Sequence, residues 1–307
     1  MVLLPGTPPA RFLSLILGPK AARDPAIRRA VEGLRVSGHE VEVHLTWEAG
    51  DASRFARMAV DEELDAVVAA GGDGTLNEVV NGVVEAGGPQ SIGVLPYGTA
   101  NDFATAAGLV PDSPAAALRT LTRGELRSVD LAKVADRCFV NMATAGPGAE
   151  ITTETPGEVK RRLGGLSYLV NGLARATQLE ASEVRLRAPD FEWRGRAYAV
   201  AVGNGRQAGG GLRLCPRAQL DDGLLDLMVL PEMPIDELLP WLGESFLSGR
   251  FVDFQSTLYR QVPWLEMESP EEIQLNLDGE PVRGRNFRFE VERGRLPMFL
   301  PSSDLFA

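Results

Sequence analysis

Histidine and cysteine are almost missing from this sequence: His39, His44, Cys138 and Cys215 are all there is in 307 residues. A Cys/His zinc site and a histidine-centred catalytic triad are therefore close to excluded, and acid-base chemistry falls to carboxylates. Two cysteines cannot build a disulfide framework, and they accord with a reducing compartment. No apolar run reaches eighteen residues, so no transmembrane helix is expected. Residues Met1 to Ala10 hold three prolines and no basic region, and Phe12 to Leu17 is too short for a signal-peptide core. The expectation is a cytoplasmic protein. Positive charge is in deficit, with 31 Lys and Arg against 42 Asp and Glu and a net charge of −11. That balance argues against a nucleic-acid partner and against firm adhesion to anionic bilayers, so membrane contact would be local and transient.

What is present is apolar material for two cores, 44% of the chain, and two domains are expected at this length. The first third alternates short apolar runs with helical patterns, the mark of strand-helix-strand units around a parallel sheet. Strands are predicted at Arg11 to Leu17, Glu40 to Thr46, Ala66 to Ala70 and Ser91 to Leu95. Crossover helices are predicted at Pro25 to Ser37, with Ile27, Ala30, Val31 and Leu34 at helical spacing, and at Asp51 to Glu62. Beyond about Gly124 the segments become short and extended: Ser128 to Val134, Glu183 to Arg187, Trp193 to Val202, Leu224 to Leu230, Ile273 to Leu277, Phe287 to Val291 and Met298 to Leu300. Helical candidates at 157–178 and 234–247 interrupt them. The reading is an α/β domain over 1–128 and a mainly-β domain over 129–294, with 295–307 packing back on the first.

The apolar strand Leu64 to Ala70 runs straight into Gly71-Gly72-Asp73-Gly74-Thr75, and Leu76 to Glu85 reads as a helix. Such a junction gathers backbone N–H groups and the positive end of the helix dipole, which makes an anion site. Thr75 is placed to cap the helix or donate to a phosphate, with Asn77 and Glu78 in the same turn. The bland alternative is a tight turn and nothing more. Asp73 speaks against it, because a carboxylate among phosphate donors would repel the ligand unless a metal ion or a proton-sharing network intervened. The order of a P-loop and the third glycine of a dinucleotide fingerprint are both absent.

Gly71 to Glu78 resembles the signature of the diacylglycerol kinase catalytic domain, in shorter form shared with NAD kinases and phosphofructokinases. Leu95-Pro96-Tyr97-Gly98-Thr99-Ala100-Asn101-Asp102-Phe103-Ala104 resembles the Gly-Thr-x-Asn-Asp segment of the lipid-kinase branch. Later segments follow in family order: Asn204-Gly205 with Gly209 to Gly211, then Cys215 to Leu227, then Asn276-Leu277-Asp278-Gly279-Glu280-Pro281. The closest likeness is to bacterial YegS-like lipid kinases, through Thr46 to Ala52, Ile151 to Pro156 and Asn204 to Gly211. The usual Asn-Pro after the first strand is replaced by Gly18-Pro19-Lys20.

The resemblance implies a Rossmann-like three-layer nucleotide-binding domain, a β-sandwich domain and an active site in the cleft between them. It implies ATP as phosphoryl donor and a membrane lipid of the phosphatidylglycerol or diacylglycerol class as acceptor. Nucleotide contacts fall on Thr46, Gly72, Asp73, Gly74, Thr75, Leu76, Asn77, Glu78 and Thr99. Asp73 and Asp102 join the catalytic group, with Glu280 as general base for the lipid hydroxyl. Asp222 and the carbonyls of Gln219 and Leu224 would hold a cation, an all-oxygen set suited to Mg²⁺ or Ca²⁺, and Asp130 would join that network. The bland alternatives are an N-cap pair at 101–102 and Asp-Gly hairpin turns at 222–223 and 278–279. Two other functions stay open, a kinase for a soluble acceptor such as NAD and a catalytically silent nucleotide or lipid binder. An oligomer is possible on either. Lys160-Arg161-Arg162 ahead of Leu163, Leu166, Leu169, Val170 and Leu173 could dock on a bilayer, or could pack on its own domain.

Overall fold

The computed structural model describes residues 11–110, 113–146, 180–248 and 256–301. The chain divides into two compact units, one of Met1–Val129 with Gly294–Ala307 and one of Asp130–Arg293.

In the first unit, strands β1 (Phe12–Leu17), β2 (Glu40–Leu45), β3 (Ala66–Gly71) and β4 (Ser91–Pro96) lie in the order β2-β1-β3-β4 and are all parallel. Near-continuous Val, Ala and Leu runs in β3 and β4 are what a sheet covered on both faces requires. Leu13, Leu15 and Leu17 face one side, packed with Ile27, Val31 and Leu34 of α2 (Pro25–Val36) and Ala117 and Leu121 of a helix at Pro114–Arg123. On the other side α3 (Asp51–Asp61) and α4 (Asp73–Glu85) pack on β1 and β3. Those two helices approach closely enough that a Cβ on Gly82 would strike Ser53 O and Ala56 Cβ. In chain order the helices are α1 (Pro19–Ala22), α2, α3, α4, α5 (Asp102–Ala106), α6 (Pro114–Arg123) and α7 (Ile235–Ser248). The sequence reading had no helix at α1 or α6, whereas α5 starts where Asn101 and Asp102 were read as opening a helix.

The second unit is built from β5 (Glu125–Val134), whose first residues belong to the first unit, and from β6 (Arg137–Phe139), β7 (Met142–Ala145), β8 (Ser182–Ala188), β9 (Phe191–Gly203), β10 (Leu225–Pro231), β11 (Leu258–Val262), β12 (Trp264–Leu277) and β13 (Glu280–Leu300). Its main order is β11-β10-β9-β7-β12-β13, antiparallel throughout, with β8 bonded to both β9 and β12. One face of β10 places Leu225, Leu227 and Val229 in a core with Phe139, Leu265, Met267 and Phe289. The other turns Met228 and Leu230 toward Leu238 and Trp241 of α7. Residues 294–300 of β13 fall in the first unit, where Met298 pairs in parallel with Ile92 of β4.

The helix expected over 234–247 is α7. The helical candidate over 157–178, with the basic cluster at 160–162, lies outside the described residues, as do Ile151 to Pro156. No helix among the described residues is long and apolar enough to cross a membrane.

Candidate functional site

The glycine segment is tighter than the sequence reading had it. β3 ends on Gly71, Gly72 is the N-cap, and α4 begins at Asp73 rather than at Leu76. Its first intrahelical bond runs from Leu76 N to Gly72 O at 3.1 Å, so the amides of Asp73, Gly74 and Thr75 point out of the helix end, where an anion is favoured. Gly72 has no side chain with which to cap them.

Four strand ends stand in a row at this edge. Thr46 donates from N at 3.0 Å and from Oγ1 at 3.2 Å to Leu17 O, Gly18 N donates to Ala70 O at 2.9 Å, and Tyr97 N donates to Gly71 O at 2.7 Å. The second glycine turn abuts the first. A Cβ on Gly72 would lie 2.9 Å from Gly98 Cα, and one on Gly98 would overlap Gly72 Cα. Asn101, left-handed at φ 52°, closes the 98–101 turn by accepting from Gly98 N at 2.8 Å. Thr99 is exposed at its tip, while Asn101 and Asp102 are buried. Gly98→Ala is expected to destabilise the protein by about 2 kcal/mol through overpacking, read as a lower urea midpoint. An unchanged midpoint would mean that the turns simply separate.

Asp73 receives an explanation that the sequence did not contain. Its Oδ2 accepts from Asp102 N at 3.1 Å and its Oδ1 from Phe103 N at 3.0 Å. The carboxylate thus caps α5 from 29 positions away, and two amides offset its charge where a metal or shared proton had been expected. Glu78 behaves similarly, accepting from Ala52 N at 3.1 Å at the start of α3. Asn77 is buried, and its backbone and side-chain oxygens both accept from Asn81 Nδ2. Leu76 is buried in the core.

In the second unit, Asp130 is fully buried at 0% exposure. Its Oδ2 accepts from Gly223 N at 2.6 Å and its own N donates to Leu220 O at 2.7 Å, so it grips the loop that carries Asp222. Asp222 Oδ1 accepts from Leu224 N at 3.0 Å. Burial pushes the Asp222 carboxyl above its usual range, and the charges of Asp130 and Asp221 add to that. Nearby, Asn204 Nδ2 donates to Asp130 O and Val140 O, while Asn204 N and Gly205 N both donate to Asn141 O. The buried Oδ1 atoms of Asn141 and Asn204 find no donor among the described residues.

The Asp278-Gly279 segment is a two-residue hairpin turn, with φ of 49° and 108°, a form whose twist suits paired strands. Glu280 opens β13, pairs with Leu277 and is exposed. Asp278 points the other way: its carboxylate accepts from Val140 N at 2.7 Å, Asn141 N at 3.2 Å and Met142 N at 2.7 Å. Sequence reasoning missed this clamp, and also Asp51, which accepts from Trp47 N at 2.8 Å, Glu48 N at 3.1 Å and Arg54 Nη2 at 2.6 Å. Those bonds hold the Asp51 carboxyl down at about 2. An acid three or four residues after amides that it can cap was a local signal and could have been read.

Comparison with known proteins gives these clusters a family. Residues 14–134 match the diacylglycerol kinase catalytic domain, and residues 141–300 match the YegS C-terminal NAD kinase beta sandwich-like domain. A "Probable lipid kinase YegS-like" of Serratia proteamaculans is 45% identical over 297 residues, covering 96% of this chain and 95% of that one. Another of that description from Pseudomonas aeruginosa is 45% identical over 288 residues, covering 94% of each. Two solved chains from Bacillus anthracis str. Sterne share the fold. One is 25% identical with a TM-score of 0.81, covering 95% of this chain and 98% of its own. The other, described as a diacylglycerol kinase, is 22% identical with a TM-score of 0.74, covering 95% and 97%. The chain belongs to the YegS-like branch of the diacylglycerol kinase catalytic-domain family, and its architecture is a catalytic α/β domain followed by a β-sandwich-like domain.

Proposed function

We propose that this protein is an ATP-dependent lipid kinase that transfers the γ-phosphoryl group to a hydroxyl of a membrane lipid of the phosphatidylglycerol or diacylglycerol class. The observation that carries the reading is the pair of interlocked turns at Gly72 and Gly98, set where the first amides of α4 point outward. The first unit then serves as the Rossmann-like nucleotide domain. The phosphates lie over Gly72, Gly74 and Thr75, with Thr99 beside them and Thr46 toward the nucleoside. Asp73 and Asp102 act by fixing the second turn against the first. Phosphoryl transfer needs mostly positioning and charge stabilisation, which suits a site of amides and carboxylates. Glu280 takes the proton of the lipid hydroxyl as its oxygen attacks the γ-phosphorus, and the β–γ bridging oxygen leaves with ADP.

A divalent cation fits the chemistry of the Asp222 loop. The buried Asp130 carboxylate lies close enough to the half-buried Asp222 to add to the rise that desolvation gives the Asp222 pKa, and the buried side-chain oxygens of Asn141 and Asn204 find no donor among the described residues. Such a surplus of acceptors suits a hard cation. Among the described residues no three His, Cys, Asp or Glu side chains cluster as ligands, so the carbonyls of Gln219 and Leu224 would complete the set with Asp222. A bound cation would supply positive charge and rigidity to the loop. Saturating Mg²⁺ is expected to raise the stability of the wild type by about 2 to 3 kcal/mol, the value for a ligand near a hundred times its Kd. Asp222→Ala should abolish that rise in a thermal scan against EDTA.

The decisive assay of function is incubation of the purified chain with γ-labelled ATP, Mg²⁺ and a total lipid extract, followed by identification of the labelled product. Label in a lipid phosphate supports the reading, and the product names the acceptor. Label appearing only in a soluble acceptor, or in none, overturns it.

A further inference from the structure

Trp47 is 89% exposed, the one tryptophan among the large exposed apolar side chains of the described residues. An indole left this bare serves no core, yet its main chain is firmly held. Asp51 accepts from the amides of Trp47 and Glu48 and is itself bonded by Arg54. Glu78, in the second turn of the helix that starts at Asp73, accepts from Ala52 N and so ties the start of α3, which follows the 46–50 loop, to the glycine-turn helix. Trp47 also has a defined place in the row of strand ends. It directly follows Thr46, which is bonded to Leu17 at the end of β1, and β1 lies between β2 and β3. Strands stand about 4.8 Å apart, so two spacings set Trp47 roughly 10 Å from the glycine turn, comparable to the reach of a nucleotide from its base to its outer phosphates. In open parallel sheets the ligand lies beyond the carboxyl ends, at the point where strand order reverses, and here that point is between β1 and β3.

We propose that the Trp47 indole is the platform on which the purine base of the nucleotide stacks, while the phosphates occupy the glycine turn. The inference rests on the nucleotide-binding reading above and adds the residue that holds the base. Rigid placement of the loop and full exposure of the ring are what a stacking platform needs, since every base presents a π-face. The other natural use of an exposed tryptophan, insertion into a bilayer interface, is disfavoured by its surroundings. Glu48 beside it and Glu42 on β2 are both exposed, and they would be repelled by anionic lipid.

The test uses the full chain with Trp47→Ala and Trp47→Phe, a non-hydrolysable ATP analogue and calorimetry. Stacking on an aromatic contributes enough that Trp47→Ala is expected to weaken analogue binding roughly tenfold or more, with Trp47→Phe close to wild type. The analogue should quench indole emission in the wild type, and the quench should vanish in Trp47→Phe although that variant still binds. In turnover, KM for ATP rises in Trp47→Ala while kcat stays within about twofold. Unchanged analogue affinity in Trp47→Ala overturns the proposal, and a loss of binding to phosphatidylglycerol vesicles in that variant would then assign Trp47 to the membrane. If the wild type binds no analogue at all, the nucleotide-binding reading itself falls, and that result is distinguishable from the failure of Trp47 alone.

Discussion

Glu280→Gln is expected to lower kcat by roughly 10² to 10⁴ while leaving KM for ATP and the urea midpoint close to wild type. The separation follows from how the turn is held. Gly279 N donates to Asn276 Oδ1 at 2.7 Å, Asp278 is clamped to the 140–142 backbone, and the ladder contact of Glu280 with Leu277 is made by main chain. None of these uses the Glu280 side chain, which is exposed. Loss of its carboxylate should therefore act on proton acceptance alone. Steady-state kinetics with a lipid acceptor, beside a denaturation curve, give both quantities. A near-normal kcat would remove Glu280 as the base and redirect attention to a carboxylate elsewhere.

Two positions earlier the expected result is the reverse. Asp278→Ala should cost about 3 to 5 kcal/mol of stability, because three backbone N–H groups at Val140, Asn141 and Met142 lose their acceptor at once. The left-handed backbone at φ 49° also disfavours alanine by roughly 1 kcal/mol. Asp278→Asn keeps one acceptor oxygen and tolerates that backbone, so it should lose about half as much. Urea denaturation of the three proteins measures the order directly. Equal midpoints for wild type and Asp278→Ala would show that the clamp does not hold the turn. The two acids of the Asp-Gly-Glu segment thus differ: Asp278 is held in a backbone clamp, and the exposed Glu280 side chain takes no part in it.

The sequence made some of this legible and hid the rest for physical reasons. Ile27, Ala30, Val31 and Leu34 recur at helical spacing, and all four are buried on one face of α2. The runs of β1, β3 and β4 were equally plain, since a covered parallel strand has no polar face to confuse it. β12 and β13 were read only in fragments. Pro270 sits where the register of β12 shifts between Glu268 and Ile273, and Pro281, Gly284, Gly294 and Pro297 punctuate β13, signals that ordinarily end a strand. Site residues were recognisable by type, but their partners were not. Asp73 meets amides 29 and 30 residues on, and Asp278 meets amides 136 to 138 residues back. No local pattern encodes such a pairing. Asp73, which in the sequence suggested a metal, caps a short helix in the structure.

The path of β13 bears on how the protein is made. Its last residues belong to the first unit, beside β4, although everything from Asp130 to Arg293 is translated between that unit's two parts. On the ribosome the parallel sheet must wait, with the β4 edge open, until residue 300 has emerged. By then the Asp222 loop and the Asp278-Gly279-Glu280 turn have both left the exit tunnel. The first unit is the first to be started and the last to be finished.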